Sequence, residues 1–498
     1  MNLFDNLFDK AESKDSLDTF LKENMLSIND FYNSDFSKMK ECKSTIDKFI
    51  LLKYQLIEEL DFTKFYNRSF VIILFDFCER FNLRSSTQRI VSILLQNDLY
   101  IGYRLQAALL FLSNIDANSR LIERYDKICS LIQAAIDQEE DSEEDSISTF
   151  LNYYRLVVQS TPLQYANQLK QKINDCINDE KYKFLSCDKV QEILLFDLTE
   201  KGVYDKIQFV IDSILSKKSK TEEEIADSSL VEEESDYVSL LSSVESSFDA
   251  IRSISTKLSD GSALTDRGVK ILETEGELLA YMRRFGNMHK AKLDSAFEFL
   301  VDHINSKFTI YDWGCGQGIA SMALLEKIDS DLVNCVYLIE PSKLSLKRAA
   351  LHVSKFNNAI PIRTICKKMD DLTVDDVRNV MEETTVHLFS NILDISDYSQ
   401  KKLINLIEKS QKNRNYFLCV SPCIDDVKTA RIDSFKCYFE KKNSFFLLGE
   451  ETNPKKGIYW NCNNHYRGNG FCLDHLEKVN GYCANKWSRL IRVFVVDL

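Results

Sequence analysis

Across its first 250 residues the chain holds only two glycines, Gly102 and Gly202, and one proline, Pro162. Such scarcity excludes a turn-rich β fold there and leaves helices with short connections. Long apolar runs are missing as well. The densest, "SFVIILFDF" at 69–77, is too short and too interrupted to span a bilayer. No basic start, apolar run and small-residue cleavage site opens the sequence, so no secretory signal is expected. The 14 cysteines form no CxxC pair, which disfavours a disulfide scaffold and fits reduced thiols in a cytoplasmic protein without membrane attachment.

What is present divides the chain in two. Residues 1–250 carry 28 basic against 45 acidic side chains, residues 251–498 carry 35 against 31, and residues 401–498 carry 17 against 10. The acidic half is a poor phosphate-binding surface and suits a protein partner; the basic C-terminal end suits a polyanion such as nucleic acid. Apolar residues in the first half recur at helical steps: Ile46, Phe49, Ile50, Leu56, Ile57 and Leu60; Leu121, Tyr125, Ile128, Leu131 and Ala135; Ile147, Phe150, Leu151, Tyr154 and Val158. "TPLQYANQLKQKI" opens with Thr161 in N-cap position and Pro162 at the first helical position. An all-helical domain is expected over 1–215, with "QEEDSEEDS" at 138–146 as a solvated loop. A polar linker is expected over 216–262, on the Ser-, Glu- and Lys-rich composition of its first half.

The second half alternates. Short apolar runs at 308–311, 335–339, 360–365, 386–389, 416–420, 445–448 and 491–496 are mostly separated by helical patterns, which predicts an α/β domain over 263–498 built on a mostly parallel sheet. After the first run comes "YDWGCGQG", with Gly314, Gly316 and Gly318 at alternate positions and Asp312 two residues ahead. A glycine loop between a strand and a helix sits where open α/β folds bind ligands. Alone it is compatible with a dinucleotide loop, a phosphate loop or a tight turn. The D-x-G-x-G-x-G spacing differs from a dinucleotide fingerprint, and no Gly-Lys-Ser/Thr follows. Glu340 ends the next strand, where a carboxylate can accept from both hydroxyls of a ribose. Asp370 and Asp371 follow the third.

In order, "YDWGCGQG", "LIEPS" and "KKMDDL" resemble motifs I, II and III of the class I S-adenosylmethionine-dependent methyltransferases, over about residues 273–498. The resemblance implies a seven-stranded sheet whose last strand inserts antiparallel beside the fifth. It implies that Gly314, Cys315, Gly316 and Gly318 line S-adenosylmethionine, that Asp312 positions the loop and the amino group, that Glu340 binds ribose, and that Asp370 or Asp371 binds adenine. Catalytic groups in this family often follow strand four, which makes Ser390, Asn391 and Asp394 the candidates; a strand-end cap is the competing reading. The stretch lacks the D/N/S-P-P-Y/F/W motif of the amino-methylating enzymes. His387 reads as a core histidine and Cys423 as a buried thiol.

Upstream, "YMRRFGNMHK" offers Arg284 and His289 as substrate-edge residues, on a helix that Gly286 is expected to break. Between strands six and seven an insertion at 451–488 mixes basic and aromatic residues, with Tyr466 and Arg467 as further substrate-edge candidates that can stack on bases and neutralise phosphates. Its Cys462, His465, Cys472, His475 and Cys483 match no common finger, and no metal is expected. The resulting expectation is a methyltransferase acting on a macromolecule, nucleic acid ahead of protein. The rivals are a non-catalytic adaptor on the same fold and a small-molecule methyltransferase.

Overall fold

A computed structural model describes the chain except for residues 1–2, 33–35, 113–117, 138–142, 180, 218–235, 259–270, 379–383, 424–425, 454–459, 462–477, 480–481 and 484–485. It divides into two compact units, residues 1–222 with 425–430 and residues 223–424 with 431–498. No helix among the described residues is long and apolar enough to cross a membrane.

Between Leu3 and Lys217 the described residues of the first unit form helices, and the predicted stripes are its core: Ile46, Phe49, Ile50, Tyr125, Ile128, Phe150 and Tyr154 are all at most 1% exposed. The apolar 69–77 run forms the centre of the Phe65–Phe81 helix, which is buried on every side. Burial on every side also takes in its charges. Asp76 accepts from both terminal guanidinium nitrogens of Arg104 at 2.9 Å and from two nitrogens of Arg80 at 3.1 Å. These charges hold the Asp76 carboxyl below its ordinary range although burial alone would raise it. Arg80 also reaches Asp145 at 3.2 Å, so part of the acidic stretch expected to be solvated is 5% exposed and paired. Thr161 does not cap: its hydroxyl donates back to the Val157 carbonyl, and the helix begins at Leu163 after Pro162.

The second unit contains all seven expected strands: β1 (Phe308–Trp313), β2 (Val333–Ile339), β3 (Ile362–Ile365), β4 (Thr384–Ser390), β5 (Arg414–Ser421), β6 (Phe446–Asn453) and β7 (Arg489–Asp497). Their order is β3-β2-β1-β4-β5-β7-β6. β7 is antiparallel to both β5 and β6, while β1 to β5 pair in parallel, as the resemblance implied. Register puts Tyr337, Tyr311, His387, Phe417 and Phe494 in one row across five strands. Neighbouring rings in that row lie 4.3–5.6 Å apart. His387 is fully buried in it, accepting from Trp313 Nε1, and burial pulls its imidazole down to about 4. Alternation turns Asp312, between Tyr311 and Trp313, to the opposite face.

Two expectations fail here. The stretch read as linker contains two helices, Asp236–Ser243 and Phe248–Leu258, whose Tyr237, Phe248, Ile251 and Ile254 belong to the core of the second unit. And Gly286 does not break its helix, which runs unbroken over Glu275–Phe297. A Cβ there would lie 3.2 Å from Met282 Sδ and 3.3 Å from Phe248 and Arg252, so the glycine admits the Phe248–Leu258 helix at close range. The Glu275–Phe297 helix starts on a full capping box between Thr274 and Glu277.

Candidate functional site

β1 hands over to the Ile319–Leu325 helix through Gly314–Gly318. The three glycines have φ of +64°, +51° and +78°, a region other residues rarely enter. A Cβ on Gly314 would sit 2.8 Å from Ile392 Cδ1, and one on Gly318 would sit 3.3 Å from the Ala349 backbone. A Cβ on Gly316 would meet nothing within 4 Å, so the middle of the loop borders open space. Cys315 is buried inside the turn, its N–H donating to the Ile339 carbonyl at 3.0 Å.

Two carboxylates flank the loop. Asp312 is 1% exposed; its Oδ2 accepts from the Ser321 hydroxyl at 2.7 Å and amide at 3.2 Å, tying β1 to the helix across the glycines. Its Oδ1 is buried with no hydrogen-bond partner. Burial lifts this carboxyl to about 6 against the pull of Ser321. Glu340 accepts from the Gly316 amide at 3.1 Å and the Ser342 amide at 3.0 Å. Desolvation lifts it to about 7, the two amides opposing and the Asp312 charge adding. The expected ribose ligand therefore also holds the glycine loop against β2.

The third predicted pair behaves differently. Asp370 and Asp371 are exposed in a short 3-10 turn, and Asp370 accepts from the Ser399 amide at 3.1 Å and lies 3.4 Å from Lys402 at the start of the Gln400–Ser410 helix.

The residues after β4 join those upstream of β1. Asn391 takes a left-handed φ of +56°, which Asn tolerates better than most side chains. Its Oδ1 accepts from Lys292 Nζ at 2.7 Å, which leaves its amide nitrogen facing His289 Nδ1 and, at 3.3 Å, the Ser390 hydroxyl. An ammonium can only donate, so the amide orientation follows, and His289 carries its proton on Nε2, 3.4 Å from the Tyr281 hydroxyl. Tyr281, Phe285 and His289 line one helix face, with ring centroids 5.2 and 6.4 Å apart at successive steps. Arg284 lies over the Phe285 ring at 5.1 Å. Thus His289, Asn391 and Ser390 form one cluster. Lys292, fully buried at its centre, was missed because a lone lysine in a charged helix reads as solvated. Asp394 stands apart, accepting from Ser421 at 2.8 Å and linking the loop after β4 to the end of β5. Cys423 is buried. Tyr466 and Arg467, and most of the Cys/His set, lie outside the described residues. Of the insertion, the structure describes the pairing of Trp460–Asn461 with Lys486–Trp487 and of Lys478–Val479 with Tyr482–Cys483.

No family model matches the chain, and no curated protein matches it. Solved structures similar to it include a SAM-dependent O-methyltransferase from Thermotoga maritima, at 14% identity and a TM-score of 0.25, covering 41% of this chain and 64% of that one. The chain thus spans just under two thirds of that protein. An rRNA methylase from Streptococcus thermophilus is similar at 11% identity and a TM-score of 0.24, covering 42% of this chain and 97% of that one. A SAM-dependent methyltransferase from Leishmania major is similar at 11% identity and a TM-score of 0.27, covering 45% and 78%. With its strand order, its antiparallel last strand and its glycine loop between β1 and the next helix, the second unit has the class I methyltransferase fold.

Proposed function

We propose that the chain is an S-adenosylmethionine-dependent methyltransferase whose substrate is a macromolecule, nucleic acid ahead of protein. One observation carries the cofactor reading. The left-handed loop closes on Glu340, opens at Gly316, and stands over a buried Asp312 oxygen without a partner. That donor set fits the cofactor: Glu340 offers lone pairs to ribose hydroxyls, and Asp312 offers an acceptor to an ammonium group. When bound, the cofactor supplies an electrophilic methyl on a sulfonium. Gly314, with Ile392 against it, brings the loop beside Asn391, so a substrate held at the Tyr281–Phe285–His289 face lies next to the cofactor loop. Alignment of acceptor and methyl supplies much of the acceleration of such displacements.

The nucleic-acid preference is supported by the 17 basic against 10 acidic side chains of residues 401–498, and by the partly exposed Tyr281 and Phe285 rings, the latter carrying Arg284. The acidic helical unit is proposed to engage a protein partner. A second reading, a binding module without chemistry, is favoured by one fact: both ends of the Asn391 amide are engaged inside the protein. Titration with S-adenosylhomocysteine tests the cofactor reading, and absence of binding sinks it. Labelled methyl transfer to RNA, DNA, protein and small-molecule pools tests the rest. Incorporation into nucleic acid supports the preference. Incorporation only into small molecules overturns it, and binding without transfer to any pool selects the second reading.

A further inference from the structure

The Asp236–Ser243 helix lies in a stretch whose composition reads as linker, yet one of its side chains is a single residue away from the glycine loop. Tyr237 is 2% exposed, and its hydroxyl is 2.6 Å from Nε2 of the fully buried His352. His352 Nδ1 is 2.8 Å from the Gln317 carbonyl oxygen. A carbonyl only accepts, so Nδ1 carries the proton, Nε2 is the acceptor and the tyrosine donates. Burial pulls the imidazole down to about 3, so it stays neutral over the whole working range. Tyr237 is itself held, because the Arg348 guanidinium lies 3.4 Å from its ring centroid and pairs with Glu275 at 3.0 Å. The same Lys343–Phe356 helix supplies Ala349, against which Gly318 packs.

The peptide that His352 holds rotates more readily than one between two residues with side chains, because Gln317 stands between two left-handed glycines. Its carbonyl is fixed by His352, and its N–H, on Gly318, donates to the Cys315 carbonyl at 2.7 Å. Release of either end lets the plane turn and moves Gly316. We propose that Tyr237 and His352 are positioning residues of the cofactor loop. The Tyr237 hydroxyl fixes the His352 ring and tautomer, and His352 Nδ1–H clamps the Gln317 carbonyl so that the loop keeps its ligand-facing course. The helix at 236–243 is then part of the cofactor site rather than a tether. This inference rests on the cofactor reading above.

The test uses the full chain and two readouts: amide hydrogen exchange over 314–321 without ligand, and S-adenosylhomocysteine affinity by calorimetry. Tyr237→Phe keeps the ring under Arg348 and removes only the hydroxyl. It should speed exchange in the loop and weaken binding about tenfold. His352→Leu should do at least as much, and His352→Gln, which can both donate and accept, should stay within about threefold of wild type. The Tyr237→Phe/His352→Leu pair should bind no more weakly than His352→Leu alone, because the two act in series. Tyr416→Phe removes another buried hydroxyl, one that donates to the His303 carbonyl, and should change neither readout. Loop exchange in Tyr237→Phe and His352→Leu equal to that in Tyr416→Phe overturns the proposal, as does unchanged affinity in both variants. Faster loop exchange in a protein that binds no ligand leaves the positioning role standing and removes the cofactor reading alone.

Discussion

If Glu340 accepts from the ribose hydroxyls, cofactor affinity depends on pH in a range where most carboxylates are silent. Burial lifts this carboxyl to about 7 despite the Gly316 and Ser342 amides, so protonation competes with ligand near neutrality. The ionised fraction is about one tenth at pH 6 and about nine tenths at pH 8. If only the ionised form binds, affinity should rise about tenfold across that interval. Asp312, lifted to about 6, adds a factor of about two in the same direction if it receives the ammonium group. The assay is calorimetric titration with S-adenosylhomocysteine at pH 6, 7 and 8 in buffers of matched ionic strength. Glu340→Gln removes the titrating group, so it should bind more weakly at pH 8 and lose most of the pH dependence. Affinity flat within about twofold in the wild type, or an unchanged slope in Glu340→Gln, would refute the assignment of Glu340 to the ligand.

Three further outcomes follow from the packing around these groups and in the helical unit. Gly314→Ala forces a Cβ to 2.8 Å from Ile392 at a left-handed φ, so ligand affinity should fall at least about tenfold while the far-ultraviolet circular dichroism stays that of the wild type. Lys292→Met leaves the Asn391 oxygen without its ammonium donor; methyl transfer should drop about tenfold or more, and ligand affinity should change by less than about threefold. Asp76→Asn leaves Arg80 and Arg104 without their shared buried anion, and denaturant titration should show a loss of about 3–5 kcal/mol.

The sheet was legible because its strands announce themselves locally. Each is an apolar run bounded by polar segments, and the glycines mark the left-handed turn between β1 and the next helix. Asp312 and Glu340 were legible for the same reason, since each sits a fixed step from a strand end. The rest of the site was hidden by distance and by averaging. His289 and Asn391 meet across 102 residues, and nothing in either neighbourhood anticipates the other. The Asp236–Ser243 helix buries only Tyr237 and Leu241, too little apolar content to stand out from the serines and glutamates around it. Gly286 misled because intrinsic propensity disfavours glycine in a helix, whereas the approach of Phe248 requires it.

Asp312 shows how a proposed ligand residue can be weighed by what it costs. Its Oδ2 already ties β1 to the next helix, a task that an asparagine oxygen performs equally well. What the carboxylate adds is a buried oxygen without a partner and a proton affinity lifted from 3.8 to about 6. The sign of the cost is fixed by linkage. A raised folded-state value means that the native chain keeps a proton the unfolded chain has lost, so this carboxyl's contribution to stability falls as pH rises from about 4 through 6. A lift of that size corresponds to about 3 kcal/mol at most. Asp312→Asn does not titrate, so its stability relative to wild type should climb by up to that amount between pH 4 and pH 7 in denaturant titrations. If the carboxylate is retained for the ligand, the same variant should bind S-adenosylhomocysteine at least about tenfold more weakly at pH 8. A variant that is both more stable and an equally good binder would mean that Asp312 serves the loop alone, and the ammonium assignment would fall.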